Sequence, residues 1–330
     1  MRKGVFALVR YVLQRLALML ITIFIIVSAT FIFTRLLPGG GLDDPDMDAT
    51  LRERLIIHYG LDRPVHEQYF IFMRRLILEG HLGYSTRLWS RQPVLDNIML
   101  RLPITIQLNI FANILIYPLG LLFGIIMGVK HNTKTDHTLN VFMMLAISVP
   151  SFVLAALLQY LLAFRLELFP IMLSTDGPNE WVMTWPKFHS MILPILAMSF
   201  APIMGIARTL RGELTEVLTS DFMLLAKTKG LSHRQATIRH SLRNSFLPLT
   251  GLIPSLFTSV LMGSLVVESF FGIPGVSAIL VNAINLNDAP VIIGWLLLFT
   301  TISLLSVIIT DLLFGVVDPR IRMGGRKSAA

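Results

Sequence analysis

Six stretches of this chain run about the length of a bilayer crossing without a single Asp, Glu, Lys or Arg: Leu16 to Phe33, Ile104 to Val129, Leu139 to Phe164, Met191 to Ala207, Ser245 to Val267 and Ala289 to Thr310. A hydrocarbon core about 30 Å thick needs roughly 20 apolar residues per helix. Buried core helices of a large soluble enzyme would need amphipathic, strongly charged helices to cover them. Those are missing: the 330 residues are 54% hydrophobic and 15% charged, with a mean hydropathy of +0.70. The predicted fold class is therefore an all-α integral membrane protein with about six transmembrane helices.

The first apolar run follows Arg2, Lys3, Arg10 and Arg15, a basic start like that of a secretory leader. It continues to Leu37, too long for a leader, and no small-residue cleavage site follows, so it reads as a retained helix. The chain has no Cys, which removes disulfides and thiolate metal sites and leaves no metal site expected.

Lys and Arg in short loops mark the inner side of a membrane. They occur at the N-terminus, at Lys130 and Lys134, throughout Arg208 to Arg243, and in the tail at Arg320, Arg322, Arg326 and Lys327, whereas Ser269 to Asp288 has none. Six spans with this bias place both termini in the cytoplasm. The segment 38–103 holds eight Arg but is long, and long segments translocate largely regardless of charge. It reads as a small external helical insertion, with helical spacing over Asp48 to Tyr59 and Pro64 to Glu79 and Gly60 as a cap between them. The expected organisation is 1–37 as N-terminal segment and first span, 38–103 as insertion, 104–316 as membrane core with a cytoplasmic segment at 210–244, and 317–330 as cytoplasmic tail. The uncharged stretch Ser269 to Asn287 is not counted as a span. Its Gly272, Pro274, Gly275 and three Asn would leave polar groups unsatisfied in lipid. It reads as a re-entrant or external hairpin.

The segment 210–244 is polar, basic and helical in pattern. Phe222, Leu225 and Ala226 form an apolar face, Gly230 sits where a helix ends with positive φ, and Ser232 with Gln235 forms a capping box that opens a second helix. In isolation this pattern suits a DNA-binding helix-turn-helix. Tethering to a span at each end argues against nucleic acid and leaves lipid headgroups or a cytosolic protein as what the segment faces, with a merely solvated positive-inside loop as the alternative that composition alone equally allows.

The run Asp221-Phe-Met-Leu-Leu-Ala226-Lys-Thr-Lys229-Gly230-Leu231, with His240-Ser-Leu242-Arg243-Asn244 and Pro248 after it, resembles the cytoplasmic motif of binding-protein-dependent ABC importer permeases. The general form of that motif has Glu-Ala-Ala six to four residues before the glycine. Leu224-Leu225-Ala226 here matches at Ala226 alone, as in the dipeptide and oligopeptide branch. Tyr59-Gly60-Leu61-Asp62-Arg63-Pro64, Gly80-His-Leu82-Gly83-Tyr84-Ser85 and Arg101-Leu102-Pro103 resemble the external region of the first, or B-type, permease. Glu268 to Gly275 and Asp311 to Arg322 resemble the end of span five and the C-terminus of the family.

The resemblance implies a type I importer permease: a heterodimer with a second, C-type permease, two cytosolic ATPase subunits that bind ATP and Mg, and an extracellular or periplasmic solute-binding protein. The setting implied is a bacterial or archaeal cytoplasmic membrane. This chain holds no Gly-x-x-x-x-Gly-Lys-Ser/Thr run and is expected to bind no cofactor and to be no enzyme. The resemblance assigns ATPase coupling to Asp221, Phe222, Leu225, Ala226, Lys227, Lys229, Gly230, Leu231 and Arg234.

Gln107, Asn109, Asn113 and Gln159 are polar within apolar spans, which makes them candidates to line the pathway or to bond between helices. Glu268 is a candidate external gate or binding-protein contact, with interfacial ion pairing as its structural alternative. Pro118, Pro150, Pro194, Pro202 and Pro254 are candidate kinks. Peptides are the expected cargo, with nickel chelates, glutathione or another small solute as alternatives. An intramembrane enzyme fails for want of H-E-x-x-H, paired Asp or Cys, and a secondary transporter or channel is the more distant reading.

Overall fold

The computed structural model describes residues 2–36, 50, 53, 56–57, 62–89, 92–175, 179–237, 241–245, 249, 256, 259–261 and 263–317. Among these the backbone is helical apart from turns and an isolated antiparallel bridge between Tyr84 and Pro93. The helices are α1 (Arg2–Leu36), α2 (Val65–Glu79), α3 (Val94–Val129), α4 (Lys134–Ser148), α5 (Ser151–Leu158), which runs on as a π-helix (Gln159–Arg165), α6 (Trp185–Thr219), α7 (Asp221–Thr228), α8 (His233–Ala236), α9 (Leu242–Ser245), α10 (Leu265–Phe270), α11 (Val276–Asn285) and α12 (Ala289–Val317).

Four of these are long and apolar enough to cross a membrane, over Val12–Arg35, Val94–Val129, Trp185–Thr219 and Ala289–Ile309. The expected span Leu139 to Phe164 is not one straight helix: α4 and α5 meet at 95°. Pro150 has no N–H to donate, and its ring pushes the preceding Val149 to φ −84°, ψ 117°, outside the helical region. Pro118 in α3 and Pro194 and Pro202 in α6 lie within continuous helices. The expected span Ser245 to Val267 and Pro254 within it fall mostly outside the described residues, as do Gly60 and most of Asp48 to Tyr59. The rejected seventh span contains α11, a 10-residue helix too short to cross.

The chain divides into two compact units, Met1–Leu102 with Gly275–Ala330, and Pro103–Pro274. In the first, α1 packs along α12 through Val27, Phe31 and Ile293, and α2 covers them with Tyr69, Phe72 and Met73. Only 11% of the most apolar stretch of α1 is buried within the chain, so most of its apolar surface faces outward. The helix α2 starts after Pro64 and stops at Gly80, whose φ of +63° closes the last turn. Asp288 ahead of α12 is buried and gathers the loop 85–88. Its carboxylate accepts from Ser85 Oγ at 2.6 Å, from Thr86 Oγ1 at 3.2 Å, and from the backbone N–H of Thr86, Arg87 and Leu88 at 2.9 to 3.2 Å. The helix α3 begins at Val94, ten residues before the charge-free run on which its sequence assignment rested.

In the second unit α6 is the central element, with 61% of its apolar stretch buried. Gly120, Gly124 and Gly128 of α3 lie against Ile206, Leu210 and Leu214 of α6. A Cβ at Gly124 would come within 2.8 Å of Leu210 Cβ and 2.9 Å of the Ala207 carbonyl oxygen. Small residues every fourth position let two backbones approach closely, the packing device of membrane helices. The two arms of the bent pair, α4 and α5, and the short α10 pack on the same central helix.

Candidate functional site

The segment assigned to coupling follows directly from α6. Ser220 is extended at φ −75°, ψ 156° and breaks the helix, and its carbonyl accepts from Met223 N–H at 3.0 Å to start α7. Asp221 in the first turn of α7 complements the positive end of the helix dipole. Gly230 at φ +85° turns the chain back, a conformation that costs a β-branched residue about 1–3 kcal/mol. Ser232 and Gln235 then form the capping box: Gln235 N–H donates to Ser232 Oγ at 3.3 Å, and Ser232 N–H to Gln235 Oε1 at 3.2 Å.

The result is a hairpin of α7 on α8 with a small core of its own. Met223 and Ala236 are fully buried, Leu218 and Leu231 flank them, and Ser241 Oγ lies 2.9 Å from Met223 Sδ. Of the expected apolar face, Leu225 points outward, 54% exposed, and beside it Leu224 is 63% exposed. Leu224 was absent from the sequence assignment of coupling residues. Asp221, Lys229 and Gly230 are exposed, while Leu231 belongs to the internal core of the hairpin rather than to its outer face. The side chains of Phe222, Ala226, Lys227 and Arg234 lie outside the described residues.

The part of α6 leading into this hairpin is fastened to the first turn of α4. Arg211 Nε donates to Asp136 Oδ1 at 2.6 Å and Arg211 Nη2 to Asp136 Oδ2 at 2.8 Å; Asp136 Oδ2 also accepts from Asn132 N–H at 3.0 Å. Asp136 is fully buried and the Arg211 side chain 23% exposed. Together with the glycine stripe this joins α3 and α4 to α6 just ahead of the hairpin. Neither partner of the pair was singled out from the sequence, where each reads as a positive-inside loop charge or its neighbour.

The four polar span residues do not converge on one place. Gln107 Nε2 donates to the Trp181 carbonyl at 2.7 Å and the Glu180 carbonyl at 3.3 Å, and the buried Lys187 Nζ donates to the same Glu180 carbonyl at 2.7 Å. Both side chains tie down the loop ahead of α6. Gln159 Nε2 donates to the Ile171 carbonyl at 2.9 Å, at the start of the π-helix. Asn109 is buried and donates to the Thr105 carbonyl at 2.7 Å; Asn113, half-buried one turn on, donates to the Asn109 carbonyl at 2.8 Å and to Ser259 Oγ at 3.3 Å. Glu268 is fully buried in the first turn of α10 and accepts from Thr105 Oγ1 of α3 at 2.9 Å. Its carboxylate is thus turned into the protein rather than presented at a surface.

Residues 120–323, which contain this hairpin, match the family described as binding-protein-dependent transport system inner membrane component. The dipeptide transport system permease protein DppB of Lactococcus lactis is 38% identical over 96% of this chain and 100% of its own length. DppB of Bacillus subtilis is 33% identical over 95% of this chain and 98% of its own. The oligopeptide transport system permease protein OppB of Haemophilus influenzae is 32% identical over 96% of this chain and all of its own length. A family match over more than half of the chain and relatives aligned nearly end to end agree with the helical membrane architecture: the chain belongs to the binding-protein-dependent transport system inner membrane components, multi-pass permeases of ABC importers.

Proposed function

We propose that this chain is the B-type permease of a peptide importer in a bacterial or archaeal cytoplasmic membrane. With a C-type permease it forms the pathway, a solute-binding protein outside delivers peptide, and two ATPase subunits beneath bind ATP and Mg. In this reading 38–103 lies outside, and 210–244 and both termini lie in the cytoplasm. The observation that carries the cargo class is the end-to-end likeness to relatives named for dipeptide and oligopeptide transport.

The mechanical role rests on the hairpin. Leu224 and Leu225 project from a helix whose inner face is already filled by Met223, so they are available to a groove on an ATPase, while Lys229, Lys227 and Arg234 supply charge complementarity. Closure of that groove on ATP moves α7. Because α7 follows directly from α6, and α6 is packed on α3 by the glycine stripe and fastened to α4 by Arg211–Asp136, the movement passes as a rigid-body shift rather than dissipating in side-chain rearrangement. Asn113 is assigned to the pathway wall. Glu268 is assigned to a gate, its bond to Thr105 being one that a displacement of α10 against α3 must break.

Uptake of a labelled dipeptide and a labelled pentapeptide into proteoliposomes, with the cognate binding protein and ATP inside, tests this reading. Uptake that needs both the binding protein and hydrolysable ATP, and that unlabelled peptides compete, is expected. Uptake by the purified chain unaided, or competition by a nickel chelate or glutathione and not by peptides, overturns it.

A further inference from the structure

In the first unit a cavity of about 80 Å³ opens where α1 ends against α2, and its wall includes Phe31, Phe72, Leu82, Arg35, Arg75 and His81. At roughly 30 Å³ per water it has room for about two to three waters, a space on the scale of one phosphate group. Arg35 and Arg75 both line this space, and no Asp or Glu does. Arg35 sits with its Nε buried and without a hydrogen-bond partner among the described residues, its guanidinium 5.3 Å from the centre of the Phe31 ring. An arginine nitrogen held this way is costly unless an acceptor reaches it. His81 Nδ1 accepts from Gly83 N–H at 2.9 Å, which leaves the ring proton on Nε2 as a third donor.

The place matters as much as the charge. Arg35 is the last residue of the apolar span Val12–Arg35, so the cavity lies at headgroup depth. The helix α2 packs on α1 through Tyr69, Phe72 and Met73, yet its other side exposes Phe70, Ile77 and Leu78, each about 70% exposed. A helix that is apolar on the side away from its protein partner, next to the end of a span, belongs in the membrane interface rather than in water.

We propose that this cavity binds the phosphate of an anionic phospholipid, with Arg35 and Arg75 on the headgroup and the aromatic and aliphatic wall against the upper acyl chain. The bound lipid completes the hydrogen bonding of Arg35 and fixes α2 to the end of α1. This holds whichever side of the membrane the segment occupies and whatever the cargo.

The test is native mass spectrometry of the assembled, detergent-purified transporter with phosphatidylglycerol, with phosphatidylcholine, and with inorganic phosphate as competitor. Selective retention of phosphatidylglycerol is expected, reduced at least fivefold by Arg35→Gln and by Arg75→Gln in complexes that assemble, and unchanged by Arg74→Gln, an exposed residue outside the cavity. Equal retention of the two lipids, equal loss with Arg74→Gln, or displacement by inorganic phosphate alone overturns the lipid assignment. Should Arg35→Gln not assemble, Arg75→Gln decides by the same readout.

Discussion

Arg211 grips Asp136 with two nitrogens of its guanidinium, at 2.6 and 2.8 Å, across 75 residues of sequence. The carboxylate is fully buried and the guanidinium partly wet, so the two ends of the pair are unequal. Arg211→Ala strands a buried charge and is expected to cost about 3 kcal/mol, the low end of the range for breaking a buried pair. The double variant Asp136→Ala/Arg211→Ala should cost less than the two single changes summed, by about 1–3 kcal/mol of coupling. Thermal unfolding of the assembled transporter in detergent measures both; strict additivity would remove the pair from the stiffening role given to it.

The glycine stripe makes a paired prediction. Gly124→Ala forces a Cβ to 2.8 Å from Leu210 Cβ and should destabilise by about 1–3 kcal/mol, the usual cost of overpacking. Gly205→Ala, in α6 with open space around it, should be neutral or stabilising by up to about 1 kcal/mol, from helix propensity alone. Melting temperatures that fail to separate the two variants refute the close approach of α3 to α6.

For the hairpin, Leu225→Glu and Gly230→Val should leave expression and membrane insertion near normal and lower peptide-stimulated ATP hydrolysis at least tenfold. Leu225 is exposed, so its replacement disturbs no internal packing, and Gly230 holds φ +85°. Leu225→Glu should leave the melting temperature unchanged, Gly230→Val should lower it by the strain of about 1–3 kcal/mol at that turn, and Met223→Glu, which buries a charge in the small core, should lower it as well. ATPase assays beside unfolding curves distinguish the two effects. Unimpaired stimulation in the first two variants argues against docking through this face.

Asp288→Ala removes the acceptor of the loop 85–88. The amides of Arg87 and Leu88 then lose a charged partner held at 2.9 Å, a bond worth about 1.5–3 kcal/mol each. Their hydrogen–deuterium exchange should accelerate at least tenfold, while exchange in the middle of α6 is unchanged. Retained protection at 85–88 would mean that the loop is held by something other than this carboxylate.

Much of the architecture was legible because membrane solvation writes itself into composition: α1, α6 and α12 each contain one of the uncharged runs. The hairpin was legible for a different reason, since Gly230 and the Ser232–Gln235 box are local chemistry that any tertiary setting preserves. The start of α3 at Val94 was missed because its first turns carry Asp96 and Arg101, polar residues that a search for apolar runs discards. Pro150 was named among five prolines alike, yet it bends its pair by 95° while Pro118, Pro194 and Pro202 are absorbed in α3 and α6.

The amino-acid order by itself determined that the chain lives in lipid, that it is helical there, and that a capped basic hairpin interrupts its spans, because hydrophobic length, backbone satisfaction and turn chemistry are each properties of a few neighbouring residues. Only the tertiary structure decided that Met223 turns in and Leu224 out, that Arg211 finds Asp136, that Glu268 faces inward to Thr105, and that Arg35 and Arg75 share a cavity. Those are meetings between residues tens to hundreds of positions apart, and what sets them is the close fit of one helix surface on another, which no local pattern encodes.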